Sequence, residues 1–293
     1  MEKVKKDHIT AYALLSPALL LFTVFTFYPF LYGFFISFNQ CDGFSDMKFV
    51  GLNNYISVFK DELFLGALGH NALYGIGTVI GKVGLALIIA LLLNRKFKGV
   101  TFFRGVFFTP VVMSFVAIGV LWQRMYDPNL GLIDIFLLKS GIVSQPVEWL
   151  SEPALALWSL VIVDIWKWVG YHTVLFLAGL QTIPKDLYES SEIDGATGWK
   201  QLFYITLPQL APITLMNITI SLMGAFSVFD LVYVMTNGGP YHSTNVILTY
   251  MYNVTFGGAD SNFGYGSSVA YILFAVILVI TIIQTNVINR QES

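Results

Sequence analysis

Five ionisable residues sit inside long apolar stretches of this chain: Lys82, Asp164, Lys167, His172 and Asp230. A charge in hydrocarbon is costly, so such residues mark a wet cavity, an ion pair or a proton relay. Asp164 and Lys167 are three residues apart, a helical spacing at which they can pair with each other, and a lysine can also reach toward an interface. Asp230 stands beside Phe226, Phe229 and Tyr233, a mixture of carboxylate and rings that suits a carbohydrate as well as it suits helix packing. His172 has no second histidine at metal-ligand spacing, which argues against a metal. The closest approach to a phosphate loop, GTVIGK from Gly77 to Lys82, is one residue short and lies inside an apolar stretch. If ATP is used, another chain binds it. Gly77, Gly81 and Gly84 instead suit close approach of a neighbouring helix.

The elements that must carry these residues are membrane spans. Hydrophobic residues make up 56% of the 293 and charged residues only 12%, with a mean hydropathy of +0.69, far from the soluble range. Apolar windows long enough to cross a bilayer occur near residues 11–37, 70–93, 105–126, 154–180, 209–235 and 268–289. They are continuous rather than alternating, and backbone in hydrocarbon must satisfy itself, so the expectation is an all-α integral membrane protein of six transmembrane helices in one domain, 1–293. The first window follows Lys3, Lys5 and Lys6 and is too long for a cleavable signal, so it reads as a retained span.

Basic residues accumulate in cytoplasmic loops. With the N-terminus inside, the inner segments hold Lys3, Lys5, Lys6, Arg95, Lys96, Lys98, Arg104, Lys185, Lys200 and Arg290, and the outer ones only Lys48, Lys60, Arg124 and Lys139. Both termini are therefore expected in the cytoplasm. The outer loops are acidic, carrying Asp127, Asp134, Glu148 and Asp260 among others, and Trp122, Trp149 and Trp158 fall near the outer boundaries, where an indole can sit at headgroup level. The lone Cys41 cannot form an internal disulfide, and a net charge of −2 with scattered basic residues does not suit nucleic acid.

On the inner side the long polar segment is 181–208, QTIPKDLYESSEIDGATGWKQLFYITLP. Pro184 suits a first helical position, Asp186 and Glu189 place negative charge near a helix N-terminus, and Gly195 suits a left-handed cap. A surface helix over about 184–194 follows, with Leu187, Ser190, Ser191 and Asp194 on one face. After the turn at 196–198, Trp199, Leu202, Phe203 and Ile205 give a second amphipathic stretch that ends at Pro208. This loop is the surface expected to meet another protein.

Here the residues resemble a known family. Glu189, Ser190, Ser191, Asp194, Gly195 and Ala196, followed by Leu207 and Pro208, are similar to the EAA motif of ATP-binding-cassette importer permeases, with both motif alanines replaced by serine. GLQTIPKDLYE from Gly179 to Glu189, TNGGP at 236–240 and VGLNNY at 50–55 extend the likeness to the carbohydrate branch, the permeases related to the maltose transporter's MalF subunit. The extra N-terminal spans and large outer domain of that subunit are not expected here.

The resemblance implies a type I importer (MetI-like) permease fold in a bacterial or archaeal inner membrane. It further implies a heterodimer with a second permease subunit, two copies of a cytoplasmic ATPase that hold the ATP and Mg, and an extracytoplasmic solute-binding protein that delivers a sugar or oligosaccharide. No cofactor and no catalysis are expected of this chain. Coupling to the ATPase would run through Glu189, Ser190, Ser191, Asp194, Gly195 and Ala196. Substrate contacts carried over from the family fall on Val169, Gly170, Thr173, Ser221, Gly224, Ala225 and Val228, to which Asp230 is added on its own chemistry. Several of these are small or apolar, fewer hydrogen-bonding groups than a disaccharide site would offer. The rival reading is an ion-coupled secondary transporter with Asp164, Lys167 and Asp230 as relay, for which no inverted repeat is evident. A membrane enzyme would need clustered catalytic groups, and none is evident.

Overall fold

The computed structural model describes residues 12, 14–43, 46–95, 97–258 and 261–292, the last six without their side chains. Lys3, Lys5, Lys6, Lys96 and Asp260 of the orientation count lie outside the described residues, as does the side chain of Arg290. Among the described residues four helices are long and apolar enough to cross a membrane: α1 (Leu14–Ser37), α3 (Glu62–Leu93), α7 (Pro153–Thr182) and α13 (Phe263–Glu292), the last over Phe263–Asn286. Two bent pairs raise the total to six if each is one span: α4 (Val100–Val112) with α5 (Phe115–Met125), and α9 (Trp199–Gln209) with α10 (Ala211–Phe226). Shorter helices are α2 (Asn53–Lys60), α6 (Leu132–Lys139), α8 (Lys185–Ile193), α11 (Asp230–Met235) and α12 (Ile247–Phe256).

Internal contacts divide the chain into two compact units. The first comprises Met1–Asp61 and Met251–Ile272. In it a two-stranded antiparallel ribbon, β1 (Asn39–Gln40) and β2 (Lys48–Phe49), pairs Asn39 with Phe49 and Gln40 with Lys48. Asn54 pins the ribbon to the end of α1, its Nδ2 donating to the carbonyls of Ser37 and Asn39 at 2.9 Å each. The rings of Phe30 and Phe34 pack on Tyr271 at 5.4 and 5.1 Å.

The second unit, Glu62–Tyr250 with Leu273–Ser293, is built on α3 against α7. Small residues bring these helices together, since without a hydrophobic driving force in lipid the gain comes from close van der Waals packing. A Cβ on Gly81 would overlap Ile165, and one on Gly77 would crowd Trp158 and Val161. Gly84, grouped with them by spacing, faces open space instead. Ile76, Ile80 and Ile88 of α3 are left exposed, an apolar face of the kind a bilayer or a partner helix covers.

The window 105–126 is not one straight span. Its axis turns by 103° where Met113 and Ser114 are extended, with ψ of 146° and 149°. Pro110 cannot donate to the helix, and Ser114 starts a new one by accepting from the Ala117 N–H at 3.2 Å. The window 209–235 is likewise divided, with non-helical residues at 227–229 between α10 and α11. The helix preceding it runs through Pro208 to Gln209, contains a π-helical turn at Leu202–Thr206, and meets α10 at 65°.

Backbone groups freed at such breaks must find partners away from water. Three side chains supply them. Lys167 Nζ donates to the carbonyls of Pro110, Val111 and Met113 at 3.2, 3.2 and 2.6 Å. Gln123 Nε2 donates to those of Val234 and Met235 at 2.8 and 3.0 Å, closing the end of α11. Asn71 donates to the carbonyl of Ala225 at 2.9 Å and accepts from the Ile247 N–H at 2.7 Å. The indole of Trp122, assigned to a boundary by sequence, is in the core against Trp166 at 5.5 Å, because the bend at 113–114 turns α5 inward. Trp149 hydrogen-bonds the buried carboxylate of Asp134 at 2.6 Å, and Trp158 alone of the three is largely exposed.

Candidate functional site

The intramembrane charges are paired differently from their sequence spacing. Asp164 does not pair with Lys167. Its Oδ2 meets Lys82 Nζ of the neighbouring α3 at 2.5 Å, with side-chain exposures of 5% and 3%. The reason is the break after Val112: the carbonyls it frees are the stronger call on Lys167, whose ammonium also lies 4.8 and 5.0 Å from the ring centres of Phe115 and Trp168. Lys167 is thus a structural clasp on the bent span.

Asp164, Trp168 and His172 recur every four residues and so share one face of α7. That face lines a cavity of about 260 Å³ together with Phe115, Ser221, Gly224 and the α10–α11 junction, 227–231. His172 is buried and oriented: Asn217 Nδ2 donates to the Ile213 carbonyl at 2.8 Å, leaving its Oδ1 to accept from His172 Nδ1–H at 2.7 Å. His172 Nε2 is then free of that bond. The Ser221 hydroxyl is buried and has no hydrogen-bond partner among the described residues. Asp230 is exposed at the cavity, and Phe229 stacks on Tyr233 at 5.2 Å with an interplanar angle of 20°.

Of the positions named from sequence, Ser221, Gly224, Val228 and Asp230 come together on this cavity. Val169, Gly170 and Thr173 do not line it. Each follows Trp168 or His172 by one or two residues, and at 3.6 residues per turn one residue is roughly 100° of rotation, so they face elsewhere. Val169 packs in a cluster with Phe176 and Phe107, Thr173 bonds the Val169 carbonyl at 2.7 Å, and Gly170 lies so close to the Phe107 carbonyl that a Cβ would overlap it. Ala225 is fully buried in the core beside Tyr74 and Leu231. Phe115 and Trp168 were missed by sequence. The four-residue recurrence of polar and aromatic groups at 164, 168 and 172 was the available signal.

The second candidate surface is the loop. The surface helix spans Lys185–Ile193, and Pro184 takes the cap position with ψ of 135° instead of the first helical one. Gly195 adopts φ of +75°, the left-handed conformation that stops a helix without a Cβ clash. The two serines have different duties. Ser191 Oγ donates to the Tyr188 carbonyl at 2.7 Å and accepts from Gln201 Nε2 at 3.1 Å, tying α8 to the start of α9. Ser190 is exposed and bonds back to the Leu187 carbonyl at 3.2 Å. The Tyr188 and Thr206 hydroxyls add a further tie at 3.0 Å. Glu189, Asp194 and Ile193 are left exposed, the last at 88%. A rigid helix thus presents acidic, small and apolar groups to whatever lies beyond it.

The chain is 35% identical over 284 residues to a probable ABC transporter permease protein, YurN, of Bacillus subtilis, covering 96% of each. It is 33% identical over 279 residues to the lactose transport system permease protein LacF of Rhizobium radiobacter, covering 94% of this chain and 93% of that one. Its fold matches a chain of a bacterial ABC transporter involved in the import of the acidic polysaccharide alginate, with a TM-score of 0.85, 24% identity, and 99% and 98% of the two chains covered. Residues 82–293 match the family described as binding-protein-dependent transport system inner membrane component, and the chain belongs to that family.

Proposed function

We propose that this chain is one of two permease subunits of an ATP-driven importer and moves a sugar or oligosaccharide inward. The observation that carries the reading is the cavity on α7, α10 and α11, where a polar floor of Ser221, Asp230 and the Lys82–Asp164 pair meets the rings of Phe115, Trp168 and Phe229. Hydroxyls bond the polar groups, and the apolar faces of a pyranose stack on rings, so such a lining suits a carbohydrate. The lactose permease among its relatives supports the same class. At 260 Å³ the space in one chain is small for an oligosaccharide, and the second permease subunit completes it.

ATP is bound with Mg and hydrolysed by two copies of a cytoplasmic ATPase. The exposed helix Lys185–Ile193, with Glu189, Ser190, Asp194 and Gly195, enters that subunit and carries its closure to α7 and α9. A solute-binding protein delivers the sugar on the opposite face, and both chain termini are cytoplasmic. The test is uptake by the complete importer in proteoliposomes. Accumulation of labelled oligosaccharide must require both ATP inside and the loaded binding protein outside. Accumulation by this chain alone under a proton gradient would overturn the reading.

A further inference from the structure

The charges on the cavity wall say which kind of saccharide it accepts. Among its lining residues Lys82 is the single lysine or arginine, and its ammonium is already bound by Asp164 at 2.5 Å in a pair almost free of water contact. A solute carboxylate that captured Lys82 would leave Asp164 buried and unpaired, an exchange that costs more than it returns. The nearby cation, Lys167, is held by three carbonyls of the bent span. Besides His172, the ionisable groups of the wall are one lysine and two carboxylates, Asp164 and Asp230. Asp230 is the one left exposed, and among the described residues its carboxylate has no hydrogen-bond or ion-pair partner. Among the neutral polar groups of the wall, the buried Ser221 hydroxyl, unpartnered among the described residues, suits a sugar hydroxyl.

We infer that this chain's half of the pathway is built for an uncharged saccharide and discriminates against an acidic one through Asp230. The inference rests on the saccharide-permease reading and narrows it. It also separates the chain from its structural neighbour, which imports an acidic polysaccharide on the same fold.

The test uses the full importer complex in lipid nanodiscs, without binding protein, and two trisaccharide probes of equal length, maltotriose and trigalacturonate. Saturation-transfer NMR reads affinities in the millimolar range. The parent complex is expected to bind maltotriose at least tenfold more tightly than trigalacturonate. Asp230→Asn, a near-isosteric change at an exposed position, should narrow that ratio by about three- to tenfold, the effect of removing one charge some 6 Å away at an effective dielectric of about 40 to 80. Asp230→Lys should reverse the preference. Equal or tighter binding of trigalacturonate by the parent, or a ratio unchanged in Asp230→Asn, would overturn the charge inference while leaving the saccharide reading in place. Binding of neither probe would overturn both.

Discussion

Replacing Lys82 by methionine removes the cation from a pair 2.5 Å apart whose side chains are only 3% and 5% exposed. The stem is replaced at similar volume, so the packing of α3 on α7 is kept and the effect is electrostatic. Asp164 is then a carboxylate without a counter-ion, and breaking a buried pair this way costs about 3–5 kcal/mol. With a midpoint shift of roughly 2–4 °C per kcal/mol for chains of about this size, Lys82→Met should lower the melting temperature by on the order of 10 °C. Replacing both partners, Lys82→Met with Asp164→Leu, removes the orphaned charge and should return the stability to within about 2 kcal/mol of the parent. The assay is thermal unfolding of the detergent-solubilised chain followed by tryptophan fluorescence, read as a double-mutant cycle. A Lys82→Met protein as stable as the parent, or a double variant no better than the sum of the singles, would refute the pairing.

Lys167→Met removes three bonds to the carbonyls of Pro110, Val111 and Met113 and should cost about 2–4 kcal/mol in the same assay, whereas Lys139→Met at an exposed position should cost less than about 0.5. Ser191→Ala cuts the tie between Tyr188 and Gln201, worth about 1 kcal/mol, so amide hydrogen exchange across 188–201 should speed up about fivefold while that of α7 stays unchanged. Asp127 accepts from the Leu130 and Asn129 N–H groups at 2.9 Å each, and those bonds, with the nearby Arg124, hold its carboxyl below the ordinary carboxylate range. Its contribution is therefore complete above the unfolded value of about 3.9 and is lost as pH falls through the lower folded value. Protection of the Asn129 and Leu130 amides should persist at about pH 4 and be lost only as pH falls through the lower folded value, and Asp127→Ala should abolish it at every pH.

The loop was legible because its signals are local. Gly195 and the run from Asp186 to Asp194 fix a helix and its end within a dozen residues, and the structure places the helix at Lys185–Ile193. The apolar windows were legible for the same reason, as run length alone marks a long helix. What sequence did not show is non-local. The partner of Asp164 lies 82 positions away on α3, and nothing in the spacing of Asp164 and Lys167 says that a bend at 113–114 will draw the lysine off. The bend had its own signal, a proline followed four residues later by a capping serine inside one apolar window, and reading Pro110 with Ser114 would have divided the span. The carried-over positions Val169, Gly170 and Thr173 lie off the cavity-lining face of α7, which run length and spacing alone do not reveal.

The role proposed for the loop helix is contact with a partner ATPase. Its most direct test is the ATPase rate of the purified importer stimulated by loaded binding protein, compared between the parent and Glu189→Lys, an exposed side chain outside the ties that hold the loop together. The account predicts that Glu189→Lys leaves the melting temperature of the permease within about 1 °C and cuts the stimulated rate at least tenfold, with loss of ATPase subunits on gel filtration. A variant that keeps its ATPase partners and its full stimulated rate would contradict it.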